Sequence, residues 1–196
     1  MTIGLDLDNT IVCYDRCFHL LATERHGLPG TVRAEKNAVR QYFRESGREA
    51  DWTVLQGIAY GQGMTKAEPF AGALDFVREA VARGHTVKII SHRTRQPIVG
   101  DATDLHASAL AWLKCEGFVG PGALAESDVF FETSKEAKLQ RIAEQQCAVF
   151  LDDLPEILLS DHFPVGVQGW LFAPGQGDAG YDRTVADWET FGRYIL

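Results

Sequence analysis

The chain is short of basic charge: 19 Lys and Arg stand against 27 Asp and Glu, for a net charge of −8. A polynucleotide partner normally meets a basic face, so nucleic acid is disfavoured as substrate or ligand. Cysteine is also scarce, and the four present, Cys13, Cys17, Cys115 and Cys147, lack the spacing of a secreted disulfide framework. No apolar run could span a bilayer and no N-terminal secretory signal is visible, so the expectation is a reducing, cytoplasmic setting without membrane association. Cys13, Cys17 and His19 raise a zinc question, but no second cysteine pair at finger or ribbon spacing accompanies them, and buried free thiols are the better reading. Internal repeats and low-complexity tracts are absent.

What is present is a set of short apolar runs, each leading to a polar residue. Ile3 to Leu7 reads as a strand, and Asp6 and Asp8, two apart, leave an extended chain on the same side. Asn9 and Thr10 follow with a backbone ready to turn, and in an open α/β sheet ligands bind at the carboxyl ends of strands. Thr86 to Ser91 is a β-branched strand ending in a hydroxyl that could donate to a phosphate oxygen. Lys135 opens an amphipathic stretch with Leu139 and Ile142 on one helical face, which puts its ammonium near a helix N-terminus. Ala148 to Asp153 is another buried-type strand that delivers two adjacent carboxylates before Leu154-Pro155 ends it. Acidic pairs at two strand ends suit a hard, oxygen-seeking cation such as Mg²⁺.

The order Asp6-x-Asp8-x-Thr10, Ser91, Lys135 and Asp152-Asp153 resembles the four motifs of the haloacid-dehalogenase (HAD) superfamily of phosphohydrolases, from residue 3 to about residue 155. One departure is Asn9, where many members carry glycine; asparagine tolerates left-handed backbone angles well enough to serve there. The resemblance implies a three-layer α/β/α, Rossmann-like core with a parallel sheet and a small helical cap. It also implies Mg²⁺-dependent hydrolysis of a small phosphomonoester, such as a nucleotide, a sugar phosphate or a related metabolite. Asp6 would be the nucleophile that forms an aspartyl-phosphate, and Asp8 the general acid and base. Thr10, Ser91 and Lys135 would bind phosphate; Lys138, one turn further on, competes for the lysine role, with Lys135 favoured because it opens the helix. The metal would be held by Asp6, the Asp8 backbone carbonyl, Asp152 and Asp153. His92, Arg93 and Arg95, on the loop after Ser91, are candidates for substrate recognition, since arginine can grip a second anion bidentately. Two rival readings are a HAD-fold binding or regulatory protein without catalysis and a metal-independent dehalogenase.

About 75 residues separate the first motif from the second strand, more than one crossover helix needs. The expected division is a core of residues 1–13 and 65–196 and a helical cap of residues 14–64. Within the cap, a first helix through Leu20 and Leu21 should break at Gly27 to Gly30, a second run from Thr31 to Ser46, and a third from Asp51 to Tyr60. Gly61-Gln62-Gly63 reads as a hinge on which a lid could exclude water. Arg33, Lys36, Arg40 and Arg44 fall on one helix face, which is read first as a solvated charge stripe, with contact to an anionic substrate as the alternative. Phe70, Leu74, Val77 and Val81 should be the buried stripe of the helix before the second strand. Asp104 should cap a helix that buries Leu105, Ala109, Trp112 and Leu113. Residues 129–131 and 169–172 read as strands, 174–180 as a glycine-rich loop, and Val185 to Ile195 as a closing helix.

Overall fold

The computed structural model describes residues 1–175 and 180–196; of the expected loop at 174–180, residues 176–179 lie outside the described residues. In chain order the elements are β1 (Thr2–Leu5), β2 (Val12–Cys13), α1 (Asp15–His26), α2 (Lys36–Glu45), α3 (Glu49–Tyr60), β3 (Glu68–Pro69), α4 (Ala73–Ala82), β4 (Thr86–His92), α5 (Leu105–Cys115), β5 (Val129–Glu132), α6 (Lys135–Glu144), β6 (Val149–Asp152), α7 (Pro155–Leu158), β7 (Gln168–Phe172), β8 (Thr184–Val185) and α8 (Trp188–Ile195). Among the described residues, no helix is long and apolar enough to cross a membrane. The chain forms two compact units: Met1–Ile11, Pro69–Arg93 and Leu113–Leu196 make one, Val12–Glu68 and Thr94–Trp112 the other.

The first unit is built on a six-stranded parallel sheet in the order β5-β4-β1-β6-β7-β8. Its inner strands are apolar on both faces because helices cover both, which is why they read as continuous hydrophobic runs. On one face, Ile90, Phe150 and Leu171 pack with Leu139 and Ile142 of α6 and with Ile157 and Leu158 of α7. On the other, Phe172 lies 5.8 Å from Trp188, and Phe76 of α4 lies 5.0 Å from Phe191 of α8. Leu171 and its neighbour Phe172 thus serve opposite layers, as the two-residue period of a strand requires. Asp187 starts α8 by accepting the Thr190 backbone N–H at 2.7 Å, and the Trp188 indole donates to the Thr10 carbonyl at 3.2 Å.

The buried stripe of α4 differs from the expected one. Ala73, Phe76, Val77 and Ala80 are buried, Leu74 and Val81 are only half-buried, and Phe70 precedes the helix. The two alanines let the helix lie close to its neighbours, and that leaves the longer aliphatic chains at the rim.

The second unit packs α1, α2 and α3 around an aromatic core, with Phe18 stacked on Trp52 at 4.7 Å. α1 ends at Gly27, left-handed with φ of 63°, as its glycine suggests. α2 begins at Lys36 rather than Thr31, because its first N–H is satisfied by Asp15 Oδ1 at 2.8 Å, a partner 21 residues away. The glycines after α3 are tightly packed: a Cβ on Gly63 would come within 2.8 Å of Leu21 and 2.9 Å of the Ile58 carbonyl. Asp104 caps α5 by accepting the Ala107 N–H at 3.0 Å, and Leu105, Ala109, Trp112 and Leu113 are all buried. This unit takes in residues 94–112 as well as all of 14–64.

Candidate active site

The parallel register sets two carboxylates side by side. Leu5 of β1 pairs with Leu151 of β6, so Asp6 and Asp152 are the next residues along adjacent strands, and the Asp6 N–H donates to the Leu151 carbonyl at 2.9 Å. Asp152 also accepts the Leu154 N–H at 2.9 Å, a short turn that fixes its carboxylate. Asp153 joins them: ligand atoms of Asp6, Asp152 and Asp153 lie within 4.8 Å of one another. The turn after β1 is closed by Asn9 in the left-handed region, φ 61°, the conformation for which asparagine is suited.

Lys138, from the second turn of α6, places its ammonium between two of these carboxylates, 2.6 Å from Asp6 Oδ1 and 2.6 Å from Asp152 Oδ2. Lys135, expected to take this position, instead points to solvent and pairs with Glu156 at 2.8 Å. The reason is the tilt of helical side chains toward the helix N-terminus. A lysine at the first residue overshoots the strand ends, whereas one a turn inside comes level with them. Lys138 is itself buried, together with Leu139 and Ile142 of the same helix.

The electrostatics follow from burial. Desolvation raises the Asp6 pKa well above the usual carboxylate value; Lys138 opposes this, while Asp152, Asp153 and Asp8 add to it. Burial alone would lower the Lys138 pKa, but the carboxylates of Asp6 and Asp152 outweigh it and hold the ammonium firmly charged. Three carboxylates against one ammonium leave negative charge to spare. An all-oxygen set with that excess fits a hard divalent cation.

Two hydroxyls singled out from the sequence, Thr10 Oγ1 and Ser91 Oγ, are buried and have no hydrogen-bond partner among the described residues. A buried, unpaired polar group costs about 1–3 kcal/mol, so donors of this kind are expected to serve a ligand oxygen. Ser91 is the next-to-last residue of β4, the strand that flanks β1 opposite β6, and His92, which ends it, is half-buried. Arg93 is buried, and its guanidinium grips Asp8 with two nitrogens, Nε to Oδ2 at 3.2 Å and Nη2 to Oδ1. Arg95 belongs to the second unit, where it is exposed and pairs with Asp104 at 3.0 Å. In that unit the basic stripe is largely engaged locally: Arg33 with Glu35, Arg44 with Glu49, and Lys36 over the rings of Tyr14, Phe18 and Tyr60.

No family model matches the chain, and no curated protein matches it in sequence. Solved structures do. The chain superposes on a HAD-superfamily hydrolase, subfamily IA, of Geobacter sulfurreducens with a TM-score of 0.59 at 12% identity, over 100% of this chain and 96% of that one. The Bacillus subtilis HAD-hydrolase YfnB, bound to magnesium, gives 0.59 at 13% identity over 99% and 97% of the two chains. A HAD family hydrolase of Deinococcus radiodurans, with bound phosphate and sodium, gives 0.54 at 14% over 97% and 92%. The chain therefore has the HAD-like fold, an α/β sheet of six parallel strands flanked by helices.

Proposed function

We propose that this protein is a Mg²⁺-dependent phosphatase acting on a small phosphomonoester through an aspartyl-phosphate on Asp6. The observation that carries this reading is the pair of buried hydroxyls of Thr10 and Ser91, without a hydrogen-bond partner among the described residues and in the same compact unit as the Asp6–Lys138–Asp152 group. Hydroxyl donors and an ammonium around a carboxylate suit a tetrahedral oxyanion in transit, and phosphoryl transfer is catalysed mainly by such positioning and electrostatic stabilisation. The bound magnesium and bound phosphate in two proteins of the same fold agree with it.

Asp6 attacks phosphorus, forming a bond from its carboxylate oxygen as the bond to the ester oxygen breaks. Asp8 gives a proton to that departing oxygen and takes one from the water that then attacks the aspartyl-phosphate. Lys138, in place of Lys135, offsets charge on Asp6 and on the transferring oxygens, while Thr10 and Ser91 donate to those oxygens. Asp6, Asp152, Asp153 and the Asp8 carbonyl would hold Mg²⁺, which would neutralise charge between the attacking carboxylate and the phosphoryl group.

Phosphate release from nucleotides, sugar phosphates and an aryl phosphate, with Mg²⁺ or EDTA, tests the reading. Release that needs the metal and is lost in Asp6→Asn is the expected result. Halide release from haloacids that survives EDTA would favour a dehalogenase, and no release by folded protein would favour a binding role.

A further inference from the structure

The grip of Arg93 on Asp8 spans 85 residues of sequence and uses both carboxylate oxygens, Nε to Oδ2 at 3.2 Å and Nη2 to Oδ1. The Arg93 side chain is 3% exposed, whereas that of Asp8 is 20% exposed. Asp8 thus keeps an open face while the guanidinium behind it is sealed. The arginine backbone is anchored as well, its N–H donating to the Glu132 carbonyl of β5 at 2.8 Å. The side-on guanidinium fixes the plane of the Asp8 carboxylate, and the side chain stays partly exposed to a ligand.

From this we infer that Arg93 is a positioning residue: it sets the orientation of the Asp8 carboxylate from behind and does not itself recognise substrate. The inference rests on the phosphatase reading, in which Asp8 hands its proton to the ester oxygen as the P–O bond breaks. A carboxyl on a loop after a strand end can turn about two side-chain torsions, and an arginine fork removes that freedom where a lysine point charge would not.

The test compares two substrates that differ in their need for an acid. The phenolate of p-nitrophenyl phosphate departs without a proton, whereas the alkoxide of glycerol phosphate does not. With Mg²⁺, Arg93→Gln should lower kcat on glycerol phosphate about 100-fold and on p-nitrophenyl phosphate less than about 5-fold, with KM for both nearly unchanged, since general acid catalysis supplies about 10²–10⁴-fold. Arg93→Lys should recover little of the loss. In an Asp8→Asn background, adding Arg93→Gln should change nothing further, and because that pair removes both charges together it also serves if the single variant fails to fold. A raised KM on both substrates, equal losses on both, or a full additional loss in the Asp8→Asn background overturns the inference while leaving the phosphatase reading standing. Wild-type protein that releases phosphate from neither substrate overturns both.

Discussion

Lys138 Nζ stands 2.6 Å from Asp6 Oδ1 and 2.6 Å from Asp152 Oδ2, and none of the three side chains is more than 6% exposed. Lys138→Met would leave two buried carboxylates facing each other without their cation. Removing one member of a buried charge group costs about 3–5 kcal/mol, because the others stay desolvated and unpaired. Lys135 and Glu156 are 45% and 58% exposed, and a surface pair of that kind is worth about 1 kcal/mol or less. Urea unfolding of the metal-free variants should therefore separate Lys138→Met widely from Lys135→Met. Equal midpoints would contradict the placement of Lys138.

Two of the four thiols are chemically quiet. Burial pushes the Cys17 thiol up to about 12 and the Cys147 thiol up to about 11, and Cys17 also donates to the Gly63 carbonyl at 3.4 Å. The thiolate is the reactive form, so neither should alkylate in native protein at pH 8. Exposed Cys115 should react with iodoacetamide first, and Cys17 and Cys147 only after denaturant is added. Peptide mass spectrometry of timed samples reads this directly; native-state labelling of Cys147 as fast as Cys115 would refute the packing around β6.

Asp187 caps α8, and its pKa is lowered by the Thr190 backbone N–H first and by other hydrogen bonds and Arg193 after it. A folded-state value below the unfolded one means that the contribution is present in full above the unfolded pKa. It is lost as pH falls through the folded pKa. Asp187→Ala should cost about 1 kcal/mol at pH 7, the usual worth of such a cap. The gap between variant and wild type should narrow as the solution is acidified below the ordinary carboxylate range, which thermal unfolding at pH 7 and pH 3 would show. A gap that widens in acid would have the wrong sign.

How much could be read from the sequence depended on how local each cause was. β1, β4 and β6 announced themselves as apolar runs, and the left-handed Asn9 and the Asp104 cap were legible because each acts within a few residues. The start of α2 was not, since the carboxylate that satisfies Lys36 belongs to Asp15 in another helix. The two-residue strands β2, β3 and β8 are too short to carry a period. In the candidate site, Asp6 and Asp152-Asp153 were legible as acidic residues at the ends of two apolar runs, and the parallel pairing of β1 with β6 is what brings them together. Choosing between Lys135 and Lys138 needed the tilt of side chains on α6, and the Arg93–Asp8 grip needed the tertiary structure itself.

Gly4 is the point at which the central strand is most sensitive. It pairs with Phe150 across β1 and β6, and a Cβ there would lie 2.5 Å from Phe150 Cδ2 and 2.8 Å from Cys147 Sγ. Elsewhere, replacing glycine with alanine stabilises by about 0.4–1 kcal/mol where the backbone allows it, because the unfolded chain loses freedom. At Gly4 that gain is outweighed, since the Phe150 ring is fully buried and can yield only by displacing its neighbours; overpacking of this kind costs about 1–3 kcal/mol. Gly4→Ala should accordingly lower the melting temperature by several degrees, at about 2–4 °C per kcal/mol for a chain of this size. Gly30→Ala, where nothing lies within 4 Å of the new methyl group, should leave it unchanged or slightly raised. Phe150→Leu alone opens a cavity, yet combined with Gly4→Ala it makes room for the added methyl, so the double variant should be more stable than the sum of the two single losses predicts. Strictly additive melting shifts would show that the strain at Gly4 is relieved somewhere other than the Phe150 ring.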